Sequence, residues 1–139
     1  MHVIEIVGML LIVTFIGCCS TMFHELAHAC MCKLLNARLL SFKAFFLCYD
    51  GKKLFTKLSG KNHCAFKTND KRVMKQIVAA GPVCELIIAI VCFVIFCQVP
   101  LPWIKYGFLG GLIWIVSTVA VDLLPIANGD GRLLFTKGE

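Results

Sequence analysis

Long apolar runs, separated by one basic block, are the feature that most restricts how this chain can fold. Residues 6–23 are almost wholly apolar, and two further runs cover about 77–99 and 103–127. A helix needs about 20 residues to cross a hydrocarbon core, so each run is long enough. With 59% hydrophobic and 16% charged residues, the chain is also more apolar than ordinary soluble domains. We therefore predict an all-α integral membrane protein with three transmembrane helices at about residues 4–35, 77–99 and 103–127.

The polar segment between the first two runs, residues 36–76, contains most of the positive charge. It has ten Lys and Arg residues against two Asp residues. Loops rich in Lys and Arg remain on the cytoplasmic side of membranes, so we expect the N-terminus outside and the C-terminus in the cytoplasm. Charge confined to one loop between apolar runs does not indicate a nucleic-acid partner. We predict one multi-pass domain over residues 1–139, in a bacterial cytoplasmic membrane.

Part of this basic segment has the pattern of short strands. Residues 39–47 have the composition of a short strand, and Tyr49-Asp50-Gly51-Lys52 has the composition of a tight turn. Residues 53–58 and 63–67 could supply partner strands. We therefore expect a small cytoplasmic β-hairpin between the first and second helices.

The first apolar run ends in Phe23-His24-Glu25-Leu26-Ala27-His28, which contains an HExxH pattern. Helix positions i and i+4 differ by about 40° of rotation and about 6 Å of rise, so both histidines lie on one face. They can therefore direct two imidazoles at one zinc ion. Glu25, next to the first of them, can take a proton from the attacking water.

A catalytic zinc ion usually takes three ligands from the protein, so a third residue is needed. The candidates are the remaining histidines and the acids within or near the apolar runs: His2, His63, Glu85, Asp122 and Asp130. His2 falls at the opposite membrane face, and His63 falls in the loop. The inner end of the third helix shares its depth with the HExxH histidines, and flanking glycines leave the Asp130 carboxylate uncrowded. We therefore predict Asp130 as the third ligand.

Three elements, in this order, resemble the site-2 protease family of intramembrane zinc metalloproteases. The first is the HExxH within a membrane helix, and the second is Ala80-Gly81-Pro82 at the start of the next helix. The third is Asp122-Leu-Leu-Pro125-Ile-Ala-Asn-Gly-Asp130-Gly131, which is similar to the family pattern of Asn-x-x-Pro, four residues and Asp-Gly. The resemblance covers about residues 16–134 and looks like a minimal three-span core.

The resemblance implies one Zn²⁺ per chain on His24, His28 and Asp130, with Glu25 as the general base. Two acids, Glu85 and Asp122, stand where the family usually has Asn. An ionisable group at membrane depth is energetically costly, which indicates a functional or paired role. We therefore treat these two acids, together with the residues of the Gly-Pro element, as possible substrate contacts or supports of the metal ligands: Gly81, Pro82, Glu85 and Asp122.

The predicted activity is hydrolysis of a peptide bond in or near the membrane segment of a membrane protein or peptide precursor. Its partners are thus the lipid bilayer and a transmembrane or membrane-associated peptide. The alternative is a catalytically inactive relative that binds membrane segments or peptides as a regulatory or immunity factor. A metal-handling protein is disfavoured because His63 is the single histidine of the loop.

Overall fold

The computed structural model describes residues 2–57, 60–124 and 130–135. Within these ranges the chain forms three long helices, α1 (Val3–Leu34), α2 (Lys71–Gln98) and α3 (Pro102–Leu123), and a short helix, α4 (Asp130–Phe135). The long helices have 32, 28 and 22 residues, and each is long and apolar enough to cross a membrane. The three helices predicted from the apolar runs are therefore confirmed.

The second helix starts earlier than the sequence predicts. It begins at Lys71 and not near residue 77, because the Asp70 carboxylate accepts hydrogen bonds from the N–H groups of Arg72 (2.7 Å) and Val73 (3.5 Å). Proline usually interrupts a helix, but α2 continues through Pro82. Packed neighbours allow a transmembrane helix to tolerate proline.

The third helix ends at Leu123, and the predicted end of that span at residue 127 lies outside the described residues.

The outward faces of the long helices are apolar. Leu10 on α1, Ile90 on α2 and Val116 on α3 are 56%, 63% and 58% exposed, respectively. Apolar surface on this scale is typical of helices that contact lipid.

Small residues bring α3 close to α1. A Cβ atom at Gly111 would lie 2.7 Å from Cδ1 of Ile16, and one at Gly107 would lie 3.0 Å from Cβ of Ile12. Glycine at such positions allows two membrane helices to pack closely. The apolar core between the three helices consists of Ile16, Ala89, Cys92, Ile115 and Val119.

The chain is mostly helical, and the segment between α1 and α2 forms a four-stranded antiparallel sheet in place of the predicted hairpin. Its strands are β1 (Arg38–Ala44), β2 (Leu47–Tyr49), β3 (Leu54–Thr56) and β4 (His63–Lys67), in the spatial order β3-β2-β1-β4. The single strand predicted over residues 39–47 is divided by a turn at Phe45, whose φ is 55°. Leu58, the predicted end of the next strand, lies outside the described residues.

The sheet lies alongside the long helices. Phe45, in the turn between β1 and β2, borders a small cavity. The other walls of this cavity come from the middle of α1 and α3: Val13, Thr14, Gly17, Cys18, Thr21 and Trp114. The main-chain N–H of Phe45 donates to Oδ1 of Asn62 at 2.8 Å, which ties this turn to the start of β4. The sheet therefore reaches halfway up the helices, a position that the sequence pattern did not indicate.

Candidate metal centre

The two histidines of the HExxH lie one turn apart on the same buried face of α1. The side chains of His24 and His28 are largely buried, and their Nε2 atoms are 3.0 Å apart. The structure therefore brings together two imidazole nitrogens, as the i, i+4 spacing requires.

Asp130, the first residue of α4, completes a group of three atoms. Its Oδ2 atom lies 3.3 Å from Nε2 of His24 and 3.0 Å from Nε2 of His28. Two ligand atoms at a tetrahedral zinc with bonds of about 2.0–2.1 Å are roughly 3.3 Å apart, so these separations fit a metal ion. The Oδ2 atom is buried and makes no aligned hydrogen bond within the described residues. A cation among the three atoms would supply that missing partner, and the group could hold a metal ion.

The charge of Asp130 is consistent with this role. Burial raises the pKa of its carboxyl group, but the contacts with His24 and His28 lower it by more. The pKa of Asp130 therefore lies well below its usual range, and the carboxylate remains ionised at neutral pH.

The second nitrogen of His28 is held by the neighbouring helix. Its Nδ1 atom lies 2.7 Å from the carbonyl oxygen of Ile77 on α2. A carbonyl can only accept, so the hydrogen bond places a proton on Nδ1, and the neutral imidazole would then offer its Nε2 lone pair to a metal ion. Histidines that bind metals usually donate their other N–H in this way.

The second nitrogen of His24 faces the two acids that stand in place of the expected Asn residues. Its Nδ1 atom lies 3.3 Å from Oε2 of Glu85 and 3.8 Å from Oδ2 of Asp122. Both acids therefore lie across the imidazole ring from Asp130. These side chains form a second group whose ligand atoms are close enough to hold a metal ion: His24, Glu85 and Asp122.

Two hydroxyl groups that sequence reasoning missed lie beside Glu85. Ser20 Oγ donates to Oε1 of Glu85 at 3.1 Å, and Thr118 Oγ1 lies 3.4 Å from the same oxygen. A single hydroxyl in an apolar helix gives no distinctive sequence pattern, so nothing in the sequence pointed to them.

Glycine is required at two positions around the histidines and Asp130. A Cβ atom at Gly81 would lie 2.5 Å from Nε2 of His28 and 2.6 Å from Nε2 of His24. A Cβ atom at Gly131 would collide with the main-chain carbonyls of Leu123 and Leu124. Pro82, which follows Gly81, is buried within α2. Gly81 thus allows α2 to approach the two histidines closely, and Gly131 allows α4 to approach the end of α3.

Comparisons with protein-family models, curated proteins and solved structures gave no match. The resemblance to site-2 proteases therefore rests on the three sequence elements and remains a prediction. Of the last element, residues 125–129 lie outside the described residues.

A cavity of about 670 Å³ opens between α1 and α3, beside the group formed by His24, His28 and Asp130. Glu25, the predicted general base, lines this cavity together with His24 and Asp122. The remaining walls combine apolar side chains with hydroxyl and amide groups: Thr21, Asn62, Glu85, Gly110, Ile113, Trp114, Ser117, Thr118 and Val121. Its volume lies within the usual range of ligand-binding pockets. The cavity can thus bring a ligand to Glu25 and to the imidazole of His24.

Proposed function

We propose that this protein is an intramembrane zinc metalloprotease of the site-2 protease type. One observation carries the proposal. The Nε2 atoms of His24 and His28 and an oxygen of Asp130 lie 3.0–3.3 Å from one another, beside a cavity that Glu25 lines. Three ligands, a neighbouring carboxylate and room for a substrate are the components that metal-assisted hydrolysis needs.

In the proposed reaction His24, His28 and Asp130 would hold one zinc ion per chain, which when bound would polarise the scissile carbonyl and lower the pKa of the attacking water. Glu25 would take a proton from this water as the water oxygen bonds to the carbonyl carbon, and would deliver it to the nitrogen of the departing amine as the peptide C–N bond breaks. The carboxylate of Glu25 is thereby regenerated, so no further reactant is required.

The cavity favours a peptide from a membrane segment as the substrate. Apolar side chains such as Ile113 and Trp114 could pack against the apolar side chains of such a segment. The hydroxyls of Ser117 and Thr118 could form hydrogen bonds with its exposed main chain. A helical substrate has its carbonyls in hydrogen bonds, so it must unwind before attack. Asn62 lines the cavity immediately before the edge strand β4, which could pair with the unwound segment by strand addition.

We also propose that the chain is a multi-pass protein of the bacterial cytoplasmic membrane, with the N-terminus outside and the C-terminus in the cytoplasm. The support is the positive charge between α1 and α2. Cysteines introduced at two exposed positions test this topology. In intact cells, an impermeant maleimide should label Leu101→Cys above the wild-type background but not Lys53→Cys. The reverse pattern would exclude the proposed orientation.

Activity is tested with protein purified in detergent and a fluorogenic membrane peptide. We expect one zinc ion per chain, and we expect Glu25→Gln to keep the zinc but to lose about 10²–10⁴-fold in cleavage rate, the usual contribution of a general base. Glu5→Gln makes the same chemical change at the other end of α1 and should retain both properties. A chain that binds zinc but cleaves nothing as wild type would exclude the protease function.

The two acids in place of Asn favour one alternative, a catalytically inactive relative that binds membrane segments or peptides as a regulatory or immunity factor. Glu85 and Asp122 both border the cavity, and they would alter how a peptide amide is held there. Under this alternative, the same peptide would be retained by wild-type protein and recovered uncut.

A further inference from the structure

We propose that Glu85 is a positioning residue that fixes the imidazole of His24 through Nδ1, an inference that rests on the metal centre of the proposed function. The Oε2 atom of Glu85 lies 3.3 Å from Nδ1, and the Glu85 side chain is 3% exposed. The two atoms are within reach of a hydrogen bond but are not yet aligned for one. Hydrogen bonds at catalytic sites commonly tighten only when the complete complex forms.

The carboxylate of Glu85 is held where all three long helices meet. Its Oε1 atom accepts a hydrogen bond from Ser20 of α1, which is fully buried, and lies 3.4 Å from the hydroxyl of Thr118 of α3. A buried carboxylate without partners is costly, so these contacts restrict how its plane can rotate. With Oε1 held in this way, Oε2 is directed at the ring of His24.

The consequence is a defined tautomer of His24. When Nδ1 donates its proton to Oε2, the Nε2 lone pair faces Asp130 and His28, the side on which the metal ion would sit. The two histidines would then be oriented by different groups. A neutral carbonyl, that of Ile77, orients His28, whereas a carboxylate orients His24 and makes it the more basic ligand.

Asp122 does not take this role. Its Oδ2 atom lies 3.8 Å from Nδ1 of His24, beyond hydrogen-bond distance, and about a third of its side chain is exposed. The competing arrangement is a second metal ion held by Nδ1 of His24 with Glu85 and Asp122. It differs from our proposal in the number of metal ions per chain.

The test measures zinc affinity by chelator competition, without substrate, and the visible spectrum of Co²⁺ bound in place of zinc. We expect Glu85→Gln to weaken zinc binding by about 10–100-fold and to shift the cobalt spectrum, as loss of a group that orients a ligand does. Glu5→Gln, the same substitution near the start of α1, should match wild type. Circular dichroism in detergent checks that each variant is folded.

A second variant keeps the test decisive if Glu85→Gln does not fold. Ser20→Ala removes the donor to Oε1 and leaves the carboxylate in place, so we expect a smaller loss of zinc affinity with a cobalt shift in the same direction. Unchanged affinity and spectrum in folded Glu85→Gln, or in Ser20→Ala if only that variant folds, would overturn the proposal. Two metal ions per wild-type chain, reduced to one in Glu85→Gln, would overturn it in favour of the second site.

These readouts separate the present inference from the proposed function. A protein that binds zinc, loses affinity in Glu85→Gln and cuts no peptide would support the role of Glu85 and exclude the protease. A wild-type protein that cleaves the peptide, together with a Glu85→Gln variant that retains full zinc affinity, would support the protease and exclude the role of Glu85. A wild-type chain that binds no metal would overturn both.

Discussion

The Nδ1 atom of His28 lies 2.7 Å from the main-chain carbonyl oxygen of Ile77, so α2 orients a candidate metal ligand of α1. Ile77 is completely buried, and its carbonyl cannot move without disturbing the packing of the two helices. The direction of the His28 lone pair is thus determined by helix packing, in addition to the HExxH sequence itself.

Gly81 provides the most direct test of how closely α2 approaches the two histidines. We expect Gly81→Ala to weaken zinc binding by about tenfold or more, or about 1.4 kcal/mol, because the added methyl group would displace both imidazoles. Equilibrium dialysis with zinc measures this loss. Gly107→Ala is the matched control, since its methyl group would meet Ile12 and not a ligand. Equal zinc affinity in the two variants would contradict the close approach.

Asp130 and Asp122 belong to two different candidate metal groups, so removing each charge distinguishes them. We expect Asp130→Asn to weaken zinc binding at least about tenfold, since the amide removes the anionic ligand, and Asp122→Asn to retain one zinc per chain. Asp70→Asn is the control, because Asn also caps a helix. Metal analysis that shows the opposite pattern would move the site to His24, Glu85 and Asp122.

The contact between Gly111 and Ile16 predicts how the bundle responds to a larger side chain. We expect Gly111→Leu to destabilise the folded protein by about 1–3 kcal/mol, because Cδ1 of Ile16 lies 2.7 Å from the Cβ position. Thermal unfolding in detergent measures the change. Val116→Leu enlarges a side chain that is 58% exposed and should have little effect. A stable Gly111→Leu variant would show that α1 and α3 do not pack at this glycine.

The β2–β3 turn gives a pH prediction outside the helices. Asp50 accepts hydrogen bonds from the N–H groups of Lys53 (2.8 Å) and Lys52 (3.0 Å), which lower the pKa of its carboxyl group below its usual range. Because the folded pKa is depressed, the turn is stabilised above the unfolded pKa and loses this stabilisation as pH falls through the folded value. An NMR titration should place the Asp50 midpoint below that of Asp in an unfolded peptide of the same sequence, and a midpoint at or above that of the peptide would exclude these bonds.

Much of this protein follows from its sequence. The apolar runs determine three long helices, because a segment of such length with so few charges has few other ways to bury or shield its surface. The i, i+4 spacing determines that His24 and His28 share a face of α1, since helix geometry is local. Asp130 was selected as their partner from its depth and from the glycines beside it, and in the structure it contacts both.

Only the tertiary structure decided the surroundings of that cluster. The positive φ of Phe45 divided the predicted strand, and pairing of β1 with the distant β4 replaced a simple hairpin with a sheet. The contact of Glu85 with His24, and of Ser20 with Glu85, joins residues far apart in the chain. Such contacts depend on which faces of three helices meet, and apolar runs that are hydrophobic on every side do not specify those faces.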